Sequence, residues 1–134
     1  MKKCIFSGGV IEKISDFIML ITFDNKRAIT VADMKEITKI RHELFGDKKY
    51  CTLIDCRKDF INFSSDATTY IANHPRINEQ RIAEAVFVKN VGQSLGGQLY
   101  IKLFKPKSET KLFYKEENAI AWLNKQYAAF NKEA

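Results

Sequence analysis

The stretch Ile82-Ala83-Glu84-Ala85-Val86-Phe87-Val88-Lys89 (IAEAVFVK) decides how this chain folds. Ala85 to Val88 shows little apolar–polar alternation, the pattern of a central strand covered on both faces. Such a strand needs helices on both sides of its sheet, and the flanking sequence supplies them. Leu112 to Tyr114 starts a further strand that runs into a helix over Lys115 to Phe130. Ile120, Leu123, Tyr127 and Phe130 line one face of that helix, with Trp122 beside it. Between the two strands, Leu95, Leu99 and Leu103 recur at helical spacing, which predicts a helix over Ser94 to Phe104 that Pro106 ends.

Working outward toward the start, two more strand-then-helix units can be read. Tyr50 to Ile54 is a short strand closing at Asp55. Phe63-Ser64-Ser65-Asp66 announces a helix through Tyr70 and Ile71, ending near His74-Pro75. Before that, Thr30 with Asp33 makes a capping box. Met34, Ile37, Ile40 and Leu44 then follow on one helical face, and Gly46 is a suitable stop. The opening holds two β-rich runs, Cys4 to Ile14 and Asp16 to Phe23, with a turn at Asp24 to Arg27, and these read as antiparallel strands. The later strands, each reached through a helix, should be largely parallel with right-handed crossovers. No linker, low-complexity tract or internal repeat divides the chain, so one domain spans residues 1–134.

Composition narrows the function classes. A chain of 134 residues, 46% hydrophobic and 28% charged, can bury a core without disulfides or a metal. Cys4, Cys51 and Cys56 are odd in number, and the last two lie too close along one strand to pair, so free thiols in a reducing cytoplasm are expected. The apolar stretch Cys4 to Phe6 is too short for a signal peptide, and Phe17 to Phe23 is too short to span a bilayer. The net charge of +6 leans toward the second half, with Lys102, Lys105, Lys107, Lys111 and Lys115 as its densest cluster. Without an arginine-rich stripe or a nucleic-acid motif, these lysines read as a solvated helix end and loop, and no nucleic-acid partner is expected.

The stretch Ala85 to Leu123, AVFVKNVGQSLGGQLYIKLFKPKSETKLFYKEENAIAWL, resembles the C-terminal half of small bacterial STAS-like (SpoIIAA-like) proteins. The likeness rests on its strand, helix, lysine- and proline-containing loop, and the ending Leu112, Phe113, Glu116, Glu117, Ala119, Trp122 and Leu123. Asp33-Met34-Lys35 and Leu53-Ile54-Asp55 fall where that family has them. The resemblance covers roughly Thr30 to Gln126. It implies an α/β fold with a mixed four- to five-stranded sheet and about four helices. Relatives include anti-sigma-factor antagonists and cytoplasmic domains of anion transporters, and some members have been likened to lipid-binding domains. The antagonist pattern has Asp-Ser-Ser-Gly at a helix start, its first serine phosphorylated by a partner kinase. Here Phe63-Ser64-Ser65-Asp66 stands in that place, with Phe63 for the aspartate and Asp66 for the glycine.

Each candidate site has a plainer role to set beside it. Ser64 or Ser65 at a helix start is an N-cap, and a phosphate there would gain from the helix dipole. Gly92, Gly96 and Gly97 around Ser94 lack the P-loop and dinucleotide spacings and read as close helix-to-sheet packing, with a ligand pocket near Ser94 and Gly96 as the alternative. Trp122, Phe113, Tyr100 and Phe104 read as core, or as the lining of an apolar cavity. His42 and His74 lie outside any metal-ligand spacing with the cysteines, and no metal or cofactor is expected. Glu116-Glu117 sit at a helix start, where carboxylates favour the dipole. The first expectation is therefore a non-enzymatic cytoplasmic regulatory or protein-interaction module, docking a protein partner around Phe63, Ser64 and Ser65. That docking needs an ordered, exposed Ser64 loop with Phe63 facing solvent. The alternative is a carrier or sensor of a small apolar or lipid-like ligand near Ser94, Leu95, Gly96, Leu99, Phe104 and Trp122. A homodimer is compatible with either.

Overall fold

The IAEAVFVK stretch lies inside a sheet, as its lack of alternation requires. The computed structural model describes residues 3–24, 26–57, 63–74, 79–90 and 109–133, with backbone alone at 71, 72 and 133. Its elements are β1 (Lys3–Phe6), β2 (Gly9–Lys13), β3 (Ile18–Phe23), α1 (Val31–Phe45), β4 (Tyr50–Asp55), α2 (Ser65–Ala72), β5 (Arg81–Phe87), β6 (Glu109–Phe113) and α3 (Glu116–Glu133). The strands form one sheet in the order β1-β2-β3-β4-β5-β6. β1, β2 and β3 are antiparallel neighbours, and β3 through β6 are parallel. β5 thus has a parallel partner on each side, and Ala83, Ala85 and Val88 are inaccessible to solvent.

The sheet has six strands rather than four or five. The sequence reading takes Cys4 to Ile14 as one β-rich run, but the chain folds back at Ser7-Gly8 and makes β1 and β2 from it. Glycine permits this fold-back sterically. A Cβ on Gly9 would be driven into the Thr22 carbonyl oxygen and lie 2.9 Å from Phe23 Cα, while one on Gly8 would lie 2.8 Å from Ile29 Cδ1. Three helices have described extents. The expected helix over Ser94 to Phe104, with Gly92, Gly96, Gly97 and Pro106, lies outside the described residues.

Alternation sorts the strand side chains into two apolar layers. Met19, Ile21 and Phe23 of β3, Tyr50 and Ile54 of β4, and Val86 of β5 face one way. There they meet Met34, Ile37, Leu44 and Phe45 of α1 and Ala67 of α2. Ile18, Cys51, Leu53, Ala83, Ala85 and Phe87 face the other way, onto Ala119 and Leu123 of α3. The stacked rings of Phe17 and Tyr127, 3.8 Å apart, tie α3 to the turn before β3. No described helix is long and apolar enough to cross a membrane.

Local signals place the helix ends. The Thr30 side chain accepts from the Asp33 N–H, and the Asp33 carboxylate accepts from the Thr30 N–H at 2.9 Å, a reciprocal cap that satisfies two otherwise orphaned donors. Arg27 adds two bonds to the same carboxylate, at 2.6 and 2.8 Å. Gly46 closes α1 at φ 58°, donating its N–H to the His42 carbonyl at 2.8 Å. That left-handed conformation favours glycine.

Candidate docking site at the carboxyl edge of the sheet

The parallel strands all end on one edge, and α1, α2 and α3 begin there. In open α/β sheets this edge is where ligands and partners are held, because it gathers loops and helix N-termini over a rigid base. Phe63, Ser64 and Ser65 lie on it. The Ser64 N–H donates to the Ile29 carbonyl at 2.9 Å, next to an isolated bridge between Ile29 and Phe63, so the chain entering α2 is fixed to the chain entering α1. The Ser64 hydroxyl accepts from the Ala67 N–H at 3.1 Å, and its carbonyl accepts the Thr68 N–H at 3.0 Å. Ser64 is the N-cap of α2, and its side chain is committed to that role.

Phe63 departs from the expectation. It does not face solvent freely but is half-buried, its ring meeting Phe23 edge-on at 6.1 Å. Its apolar surface is drawn into the layer beneath α1 and α2. Ser65 and Asp66, one step along, are exposed, and the Ser65 hydroxyl makes no hydrogen bond among the described residues. Of the two serines, the one presented outward at this helix start is therefore Ser65.

Beside it, the end of β4 carries a fixed ion pair. Arg57 donates through Nε and Nη2 to Asp55 at 3.0 and 2.7 Å, and its guanidinium lies over the Phe87 ring at 4.6 Å. Cys56, between the two, is buried, and burial pushes its thiol up to about 12, with Asp55 and Glu84 adding to the effect. Burial likewise pushes Cys51 up to about 11. Both are neutral thiols with little nucleophilic character at neutral pH.

Of the residues proposed to line an apolar pocket, Ser94, Leu95, Gly96, Leu99 and Phe104 lie outside the described residues, as does Tyr100. Trp122 is half-buried against Phe113, with ring centroids 5.5 Å apart, in the layer under α3. His42 is exposed on α1, and His74 packs edge-on to Tyr70 at 5.3 Å. Among the described residues no three His, Cys, Asp or Glu side chains converge as metal ligands.

The sequence reading misses a buried polar cluster at the opposite edge, where β4 and β5 begin. Arg41, Thr52, Gln80 and Glu84 are all nearly inaccessible there. A register shift between Tyr50 and Cys51 turns Arg81 toward the face that carries Tyr50, Thr52 and Glu84. Arg81 Nη1 then reaches Glu84 at 3.7 Å. Two signals for this cluster stand in the sequence. Glu84 interrupts the most apolar strand, and Arg41 falls four residues after Ile37 and three before Leu44, on the core stripe of α1.

The family model described as Domain of unknown function (DUF7793) matches residues 12–127. The chain belongs to the DUF7793 family. Its fold is like that of an uncharacterised DUF3478-family protein from Shewanella loihica PV-4, which has a SpoIIAA-like fold. The two share 19% identity over 84% of this chain and 90% of that one, with a TM-score of 0.61. The fold expected from the STAS-like resemblance is thereby found, at the level of architecture. A protein of unknown function from Arthrobacter sp. FB24 is 20% identical over 85% of this chain and 97% of its own, but its TM-score of 0.33 adds nothing to the fold assignment. No curated protein matches the chain.

Proposed function

We propose that this DUF7793 domain is a non-enzymatic regulatory or interaction module that docks a protein partner at the start of α2. The observation that carries this reading is the division of labour between the two serines. Ser64 is consumed by the cap, whereas Ser65 is exposed, its hydroxyl without a hydrogen bond among the described residues, on a helix anchored through Ile29, Phe63 and Phe23. A rigid base under an outward hydroxyl suits a docking surface, because little order has to be imposed on binding. Phosphate on Ser65 would sit in the first turn of α2, where the helix dipole favours negative charge. It would also meet Asp66, which opposes it. The raised cysteine thiols support the non-enzymatic part of the reading, since neither Cys51 nor Cys56 is poised as a nucleophile.

The test is site-specific photocrosslinking in the native cell, with the photoreactive residue at position 65 and, as control, at exposed Lys125 on α3. A discrete adduct to one other protein from position 65, absent from position 125 and weakened by Asp66→Lys, is the expected result. Equal adducts from both positions, or none from position 65, would overturn the docking reading.

A further inference from the structure

β1 closes one side of the sheet, with β2 as its single neighbour among the described strands. The hydrogen bonds around β2 fix which way the β1 backbone groups point. The Ile14 N–H donates to the Ile18 carbonyl at 3.1 Å and the Asp24 N–H to the Gly8 carbonyl at 2.9 Å, so Gly8, Val10, Glu12 and Ile14 turn their backbone groups toward β3. Gly9 and Ile11 therefore turn theirs toward β1, where they meet Phe6 and Cys4. By the same alternation the N–H and C=O of Lys3 and Ile5 point away from the sheet. The next outward N–H, that of Ser7, is already given to the Glu36 carboxylate.

The side chains of this edge are open as well. Ile5 is 82% exposed, the more exposed of the two large apolar side chains left open to solvent among the described residues. Cys4 and Phe6 pack beneath α1, so Lys3 and Ile5 lie on the other face. The apolar layer under α3 reaches Leu20 of β3 on that face and, among the described residues, does not extend to Val10 or Ile5. A lysine on an edge strand usually protects it, because pairing would trap its charge in the seam. Here the Lys3 ammonium already has a counter-charge, the Glu12 carboxylate on β2 at 3.9 Å.

We propose that two copies of the chain pair β1 against β1, antiparallel about a two-fold axis at Cys4, and join their sheets into one. This register sets Lys3 opposite Ile5 of the second copy and Ile5 opposite its Lys3, and because all four turn their backbone groups outward, each pair exchanges two hydrogen bonds. An axis at Ile5 would oppose Lys3 to Ser7, whose N–H is held by Glu36, and an axis at Lys3 would oppose two lysines. The Cys4 axis uses every outward group of Lys3 and Ile5, lays the lysine stem along Ile5, and leaves each ammonium beside its own Glu12. Backbone phase and charge thus both fit a second copy of this chain. The seam is short, so a reversible dimer with micromolar association is expected rather than an obligate one. It uses no residue of the docking surface at Phe63, Ser64 and Ser65, and its test is separate from the test of that surface.

Sedimentation equilibrium of the full chain, at loadings up to roughly 500 µM, should show a monomer–dimer equilibrium. Ile5→Pro removes an outward N–H and leaves the β1–β2 ladder whole, so it should weaken dimerisation at least about thirtyfold while circular dichroism stays that of the parent. Ile5→Lys sets lysines face to face across the seam and should do the same. Oxidation with copper phenanthroline reads the register, since a non-hydrogen-bonded antiparallel pair holds its Cα atoms about 4.5 Å apart, within disulfide range. The parent should crosslink through Cys4, the one cysteine of the three that is not buried, and Ile5→Pro should crosslink far less. A chain that stays monomeric at every loading, a dimer that both Ile5 variants leave unchanged, or a dimer whose Cys4 does not crosslink overturns the proposal. Hydrogen exchange on the unaltered chain is independent of variant folding. The Ile5 amide should become protected as the chain is concentrated, and equal exchange at low and high concentration would refute the seam.

Discussion

Asp33 is buried, and four bonds converge on its carboxylate, from both Arg27 Nη atoms, the Thr30 N–H and the Thr30 hydroxyl. The Arg27 guanidinium first, and then the Thr30 backbone and hydroxyl donors, hold the carboxyl well below the usual carboxylate range, against the opposing effect of burial. A depressed folded-state value has a definite sign in stability. The contribution is fully present above the unfolded-chain value, about 3.9, and is lost as pH falls through it toward the folded value. Urea unfolding across pH 7 to pH 3 should therefore show Asp33→Asn less stable than the parent at neutral pH, with the gap narrowing below about pH 4. A gap that stays constant with pH would mean that the cap acts through shape rather than charge. The capping box itself was legible from Thr30 and Asp33. Arg27 was not, because a bidentate pair depends on where the turn before α1 delivers its side chain.

For α2, the sequence marks Ser64 and Ser65 equally as helix-start hydroxyls, and the backbone separates them. Ser64 immediately precedes the helix, with its hydroxyl on the Ala67 N–H, while Ser65 is the first helical residue and is exposed. Ser64→Ala should cost about 1 kcal/mol in denaturant unfolding, the usual worth of an N-cap. Ser65→Ala should change stability by less than about 0.5 kcal/mol, as exposed substitutions do, while still altering partner docking. Equal losses for the two variants would contradict the assignment of the cap. α1 and α3 were readable from apolar periodicity because their stripes are long, whereas α2 is short and was found mainly by its Ser-Ser-Asp start.

Across the whole molecule, the sheet carries unlike loads on its two faces. The α1 and α2 face is broad and includes Phe6, Phe23, Phe45 and Tyr50. The α3 face depends on a few small strand residues, Ala83, Ala85 and Cys51, meeting Leu123 and Ala119. Such close packing leaves little room for collapse around a deletion, so Leu123→Ala should cost about 3 kcal/mol and lower the thermal midpoint in a single cooperative transition. Calorimetry that resolved a separate α3 transition would show that the helix unfolds independently of the sheet.

By itself the sequence determined the order of the described strands and helices from Thr30 onward, the caps of α1, the start of α2 at Ser64-Ser65 and the burial of β5. These follow from local periodicity, propensity and hydrogen-bonding chemistry, which act over a few residues. Only the tertiary structure decided the rest. The split of Cys4 to Ile14 into two strands came from the tight approach of Gly9 to Thr22 and Phe23. The inward turn of Phe63 came from Phe23, remote in sequence. The gathering of Arg41, Thr52, Gln80, Arg81 and Glu84 needed α1, β4 and β5 brought together and a register shift at Tyr50. A buried charge can be noticed in a sequence, but its partners are fixed by distances between segments that only folding sets.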